Sequence, residues 1–185
     1  MQKLIFLIQY KNTNIILVKA KMEDIINTEV SSEMNITPFQ KLVRHLASRV
    51  YESLGPGHNE QIYHKALHHE LMCSNIFADA ERHLDVTYTD SMGFTHHLVS
   101  ERIDLYVHKS ENSVFTDLNK NPVVIELKAI SKILNVIEEV QVKKYFRELA
   151  KQGITPDYGI LINFPQASSK GVSDSIEFRI VNNEL

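Results

Sequence analysis

Apolar residues along this 185-residue chain recur with two different periods, and the switch between them predicts an order of elements. In "TPFQKLVRHLASRV", Phe39, Leu42, Val43, Leu46, Ala47 and Val50 fall three and four apart, the spacing of one helix face. Thr37 suits the N-cap and Pro38 the first turn, and "LGPG" stops the helix. A second helix is expected over about residues 58–74, with Ile62, Ala66, Leu67, Leu71 and Met72 on its apolar face and Cys73 as a small buried hydrophobe. "HLDVTYTD", "SMG" and "FTHHLVSERIDLYV" then read as strand, tight turn and long strand. The polar loop "SENSVFTDLNKN" leads into the strand "PVVIEL". "NVIEEVQVKKYFRELAKQG" predicts a helix closed by Gly153, "DYGILINF" a buried strand, and "SIEFRIV" a last strand with alternating faces.

Ahead of these lie two short strand-like runs, Leu4 to Ile8 and Ile15 to Val18, followed by the polar stretch "NTEVSSEMN". Residues 1–33 therefore read as an extension, and 34–185 as the main domain. Within that domain a hairpin leads to an apolar strand, and a helix crosses over to another. This predicts an α/β fold, with a mixed central sheet flanked by helices and at least one right-handed β-α-β crossover.

Composition narrows the function classes. A formal net charge of -3 excludes a generally basic nucleic-acid coat, so any nucleic-acid binding must use a local patch. One cysteine excludes an intramolecular disulfide framework and a cysteine-based zinc knuckle. No apolar run approaches the roughly 18–20 residues that span a bilayer, and Leu4 to Ile8 is too short for a signal-peptide core. The expectation is an intracellular protein with no membrane partner. The unpaired edge of the N-terminal strands points to a homodimer.

The strand "VVIELK" ends with an acid and a base two residues apart, so Glu126 and Lys128 project to one face. Alone, that is what any strand meeting water looks like. Asp104 alters the reading, because a carboxylate in the otherwise apolar "RIDLYV" is costly unless paired or bound to a metal. On neighbouring strands Asp104 and Glu126 can reach one cation, and two hard oxygen ligands suit Mg2+ or Mn2+. Lys128 would face the same cavity, to orient or deprotonate a water or to stabilise charge developing on phosphorus. On the crossover helix Gln141 and Tyr145 share a face. Lys143, Arg147 and Lys151 form a stripe with Lys144 beside it, ordinarily a solvated surface but beside a metal site a place for a phosphate backbone.

The run "LGPGHNEQIYHKALHHEL" resembles the signature of the GxxExxY proteins, matched by Gly57, Glu60 and Tyr63. "RIDLYV", "VVIELKAI", "EEVQVKKYF" and "GILINF" follow in that family's order, so the resemblance covers residues 38 to 182. The family is grouped with the PD-(D/E)XK nucleases, which implies a restriction-endonuclease-like core and magnesium-dependent hydrolysis of phosphodiester bonds; the expected nucleic acid is DNA. The resemblance further implies metal ligation by Asp104 and Glu126, with Glu60 as the helix-borne third acid. Lys128 takes the lysine role, and Gln141 and Tyr145 support the site and touch nucleic acid.

Three other readings compete. The nuclease fold can persist as a nucleic-acid-binding or assembly module with little catalysis. His64 and His68 have the i, i+4 spacing of zinc helices, but "HKALHH" lacks the glutamate of His-Glu-x-x-His, and His96 and His97 are adjacent in a strand and so point apart. A purely structural domain is the third.

Overall fold

The computed structural model describes residues 36–184, apart from 112, 169, 170, 172 and 174. The strands expected before residue 33, and the homodimer resting on them, lie outside the described residues. The chain divides into two compact units, residues 1–45 and 46–185. In the first, the described residues begin helix α1 (Pro38–Leu54). Thr37 caps it reciprocally with Gln40: each backbone N–H donates to the other's side-chain oxygen, at 3.1 and 3.3 Å.

The second unit carries a five-stranded sheet in the order β1 (Ala78–Thr89), β2 (Thr95–Val107), β3 (Val123–Lys128), β4 (Tyr158–Asn163) and β5 (Glu177–Asn182). All neighbours are antiparallel except β3 and β4. That parallel pair requires a crossover, which α3 (Val136–Lys151) supplies. A capping box sets its start: the Asn135 side chain accepts from Ile137 N (2.8 Å), and Asn135 N donates to Glu138 (2.9 Å). On this face Val142, Tyr145, Phe146 and Leu149 of α3 bury Tyr106, Val124, Leu161 and Val181 of the strands. Each such side chain contributes about 1.5–3 kcal/mol by leaving water.

Gly159, on β4, is required by this packing. A methyl group there would stand 2.5 Å from Val142 and 2.9 Å from Val124. Substitution by alanine is expected to cost about 1–3 kcal/mol, read as a lower denaturation midpoint with an unchanged slope.

Helix α2 (Glu60–Cys73) lies against β1, β2 and β3. Asn59 caps it, accepting from Ile62 N at 3.2 Å. Its buried stripe is Tyr63, Leu67 and Leu71, with His64 beside them. Three expectations are corrected here. Ile62 (40%) and Met72 (43%) are exposed, each about 100° round the helix from the stripe. Cys73 is exposed rather than buried, because two residues beyond Leu71 is nearly the opposite side. The strand expected from residue 83 already starts at Ala78. Its first residues are mostly polar and mostly exposed, so no alternation marks it in the sequence. The polar loop after β2 holds a 3-10 turn, Thr116–Leu118, with Phe115 and Leu118 buried.

Candidate active site

The site lies where the backbone ladder between β2 and β3 stops. The strands pair at Leu105 with Ile125, Tyr106 with Val124 and Val107 with Val123. One step further the register would bring Asp104 opposite Glu126, but there a side chain replaces the ladder: Leu127 N donates to Asp104 Oδ2 at 2.8 Å. The carbonyls of β2 beside this fork are taken by the two helices. From α3, Tyr145 OH donates to Arg102 O (2.9 Å), and from α2, His64 Nε2 donates to Asp104 O (2.7 Å). Leu127 N and the carbonyls of Arg102 and Asp104 thus keep hydrogen-bond partners where the ladder stops, as buried backbone groups require. On the other side of β2 the hairpin ladder pairs Ala80 with Leu105 and Arg82 with Ile103, skipping Glu81. Glu81 has φ 53, a left-handed conformation that costs a residue with a side chain roughly 1–2 kcal/mol.

A cavity of about 500 Å³ opens at the fork, lined by Glu60, Asp104, Arg102, Gln141, Lys144 and Tyr145 among others. Behind it Glu126 is 2% exposed at its side chain, in contact with the Lys128 ammonium through Oε1. Its Oε2 stands 3.2 Å from the Tyr145 hydroxyl and shares that one hydrogen with Arg102 O, and Gln141 Nε2 donates to the same phenol at 2.7 Å. Gln141 and Tyr145 therefore hold both Glu126 and the β2 backbone.

Burial, then the nearby charge of Asp104, pushes the Glu126 carboxyl up to about 8, against the opposing pull of Lys128 and Tyr145. Burial alone would lower Lys128, but Glu126, Glu60 and Asp104 together outweigh it and hold the ammonium above its usual value. Glu60 is raised by burial and by Asp104, with Lys128 and the Ala129 amide opposing. Burial and Glu126 push Tyr145 up, so its phenol stays a donor. The site is thus an acid cluster around one protonated lysine.

A consequence can be measured without catalysis. Because the Glu126 carboxyl is raised in the fold, its contribution to stability is complete below its unfolded value and is lost as pH rises through about 8. In chelator, the melting temperature of Glu126→Gln minus that of the wild type should grow between pH 5 and 9. A constant difference would show that Glu126 carries no such burden.

Glu60, Asp104, Glu126, Lys128, Gln141 and Tyr145 are thus brought together. Among the described residues, however, no three His, Cys, Asp or Glu side chains are drawn into a ready metal cage. The basic stripe is divided. Lys144 lines the cavity, Lys143 and Arg147 are exposed, and Lys151 bonds Glu148 (2.7 Å) and the Thr87 carbonyl (2.9 Å). Gly57 and Tyr63 act on the backbone. Gly57, at φ 103, donates its N–H to Gln166 Oε1 (2.7 Å). Tyr63 is fully buried, stacks on Phe164 at 4.5 Å and donates to Gly55 O at 2.6 Å. This clamp fixes the start of α2 and with it Glu60.

The histidines at zinc-like spacing serve packing. His64 and His68 donate through Nε2 to the carbonyls of Asp104 and Ala78, at 2.7 and 2.9 Å. Sequence reasoning missed Asn163, 2% exposed, whose amide bonds Ile130 N and O and Lys132 O and so shapes the loop after Lys128. The same argument that singled out Asp104, a polar residue in an apolar strand, would have found it. Gln166, Arg102 and Glu81 carry no such signal.

Comparison with known proteins agrees with this geometry. The sequence model of the PD-(D/E)XK nuclease superfamily matches residues 38–174. No curated protein matches. A solved structure titled "Crystal structure of SSO0001" is 19% identical, covering 92% of this chain and 77% of its own, with a TM-score of 0.47, a likeness too low to carry an argument. Among the described residues no helix is long and apolar enough to cross a membrane. A mixed sheet flanked by helices and a sequence match over residues 38–174 agree: the chain belongs to the PD-(D/E)XK nuclease superfamily.

Proposed function

We propose that this protein is a divalent-metal-dependent nuclease hydrolysing phosphodiester bonds of DNA. The observation that carries the reading is the pairing of Asp104 with the Glu126–Lys128 strand end at one fork, with Glu60 on the same cavity. The sequence Gly57-x-x-Glu60-x-x-Tyr63 supports placing it with the GxxExxY proteins of that superfamily.

The donor set fits a hard cation. All three acids offer oxygen, and Asp104, whose Oδ2 accepts from Leu127 N, lines the cavity with Glu60. Burial first and repulsion from Asp104 second raise Glu126, and a bound cation would offset both by favouring the charged carboxylate. Asp104, Glu126 and Glu60 would hold Mg2+ or Mn2+, which when bound polarises the scissile phosphate and acidifies water. Lys128, held as an ammonium, orients the attacking water and balances negative charge gathering on the phosphoryl oxygens. Water oxygen bonds to phosphorus in line with the departing 3′-oxygen, which leaves with a proton from solvent, while the water's own proton passes to solvent. Tyr145 and Gln141 keep Glu126 in place throughout.

Incubation with labelled single- and double-stranded DNA is expected to give cleavage with Mg2+ or Mn2+ and none in EDTA. DNA affinity without metal-dependent cleavage would instead favour a nucleic-acid-binding module on a nuclease fold.

A further inference from the structure

Two cations on the cavity wall are engaged by carboxylates that have no structural need of them. Arg102 Nη1 donates to Glu81 at 3.1 Å, and Lys144 Nζ donates to Glu101 at 2.7 Å. All four side chains line the cavity with Asp104. Arg102 and Glu81 are 57% and 45% exposed at their side chains, Lys144 and Glu101 36% and 27%. Pairs this open to water contribute little to folding, because solvent screens them and ordering two long side chains costs entropy.

The backbone gives a second, independent sign. Glu81 adopts its left-handed conformation where the hairpin ladder skips a pair, on the strand beside Asp104. Strain of this kind persists where the surroundings hold it, and it gathers at functional sites. Here it accompanies a carboxylate on the wall of the cleft, against a guanidinium. Guanidinium and ammonium groups in a cleft beside a phosphodiesterase centre suit phosphate, Arg102 as a two-pronged donor and Lys144 as a point charge.

We propose that Arg102 and Lys144 are the substrate-phosphate clamp of this site, and that Glu81 and Glu101 are its built-in competitors. The proposal rests on the nuclease reading above and deepens it. In the free protein the two carboxylates occupy the places that phosphates flanking the scissile bond take in the complex. Binding exchanges carboxylate for phosphate on each cation. The competitors weaken non-specific adhesion of a protein whose overall charge is already negative. They also direct what affinity remains to a backbone that can reach both cations at once.

The test uses the full chain carrying Asp104→Asn, to prevent turnover, and a fluorescein-labelled DNA oligonucleotide titrated by anisotropy at several salt concentrations. Added Glu81→Gln and Glu101→Gln should each tighten binding about two- to fivefold, as release of an exposed ion pair allows. Added Arg102→Gln and Lys144→Gln should each weaken it and lower the salt slope by about one. Arg102→Lys should restore part of the loss. Thermal melts confirm that each variant is folded, which partial or full exposure of all four side chains makes the expectation. If the wild type cleaves DNA and the Asp104→Asn protein binds it, yet affinity and salt slope ignore all four substitutions, the clamp is overturned and the nuclease reading stands. If the wild type neither binds nor cleaves, both fall.

Discussion

Asp104→Asn and Lys128→Ala should each lower metal-dependent DNA cleavage by at least about 100-fold, the loss typical when one group stabilising developing charge is removed. The two variants fail for different reasons. Asparagine still accepts from Leu127 N, so the fork keeps its shape, while the site loses one of its negative donors. Far-UV circular dichroism and melting temperature should stay near wild type. Lys128→Ala removes the cation that contacts the Glu126 carboxylate. In chelator that carboxylate should then bind a proton still more firmly. Added Mg2+ or Mn2+ should not restore activity, since the group that orients the water is gone. Cleavage that persists in either variant with the wild-type metal dependence would sink the assignment of this fork as the catalytic centre.

The largest effect on stability is expected at Tyr63. Its ring is fully buried and lies flat on Phe164, and its hydroxyl joins Gly55 to Gln166. Tyr63→Ala should cost about 3–5 kcal/mol, the usual toll for removing a buried aromatic ring. For a chain of this size that is a fall in melting temperature of roughly 6–20 °C. Tyr63→Phe keeps the stacking and loses the hydroxyl bonds, a change of about 1 kcal/mol. Because the same clamp fixes the first residue of α2, Tyr63→Phe should also reduce cleavage through Glu60. A phenylalanine variant as active and as stable as wild type would show that the clamp neither holds the fold nor places the acid.

How much of this could be read from the amino-acid sequence depends on the kind of information each feature needs. Alternation in "VVIELK" placed Glu126 and Lys128 on one face, and the two side chains do meet. The cost of a carboxylate among Ile103, Leu105 and Val107 made Asp104 conspicuous, and i, i+4 spacing joined Gln141 to Tyr145. Those are local rules. The fork is not local: that β2 stops pairing with β3 beyond Leu105 depends on a tyrosine and a histidine from different helices reaching its carbonyls. Nothing in the spacing of His64 and His68 separates a bond to a carbonyl from a bond to zinc. The expected apolar face of α2 holds at Leu67 and Leu71 but runs one residue too far at each end, because Ile62 and Met72 are as apolar as they are and only the docking angle of the helix chooses between them. Arg102, Glu81 and Glu101 look like the ordinary charges of an exposed hairpin until the register sets them around Asp104.

The bond from Leu127 N to the Asp104 carboxylate has a use beyond architecture. A backbone amide in a regular ladder reports on the neighbouring strand. This one reports on a side chain at the centre of the cleft. Its proton resonance is therefore a spectroscopic gauge, supplied by the fold itself, of whatever shares the Asp104 carboxylate: a proton, a cation, or the phosphate that a cation draws in.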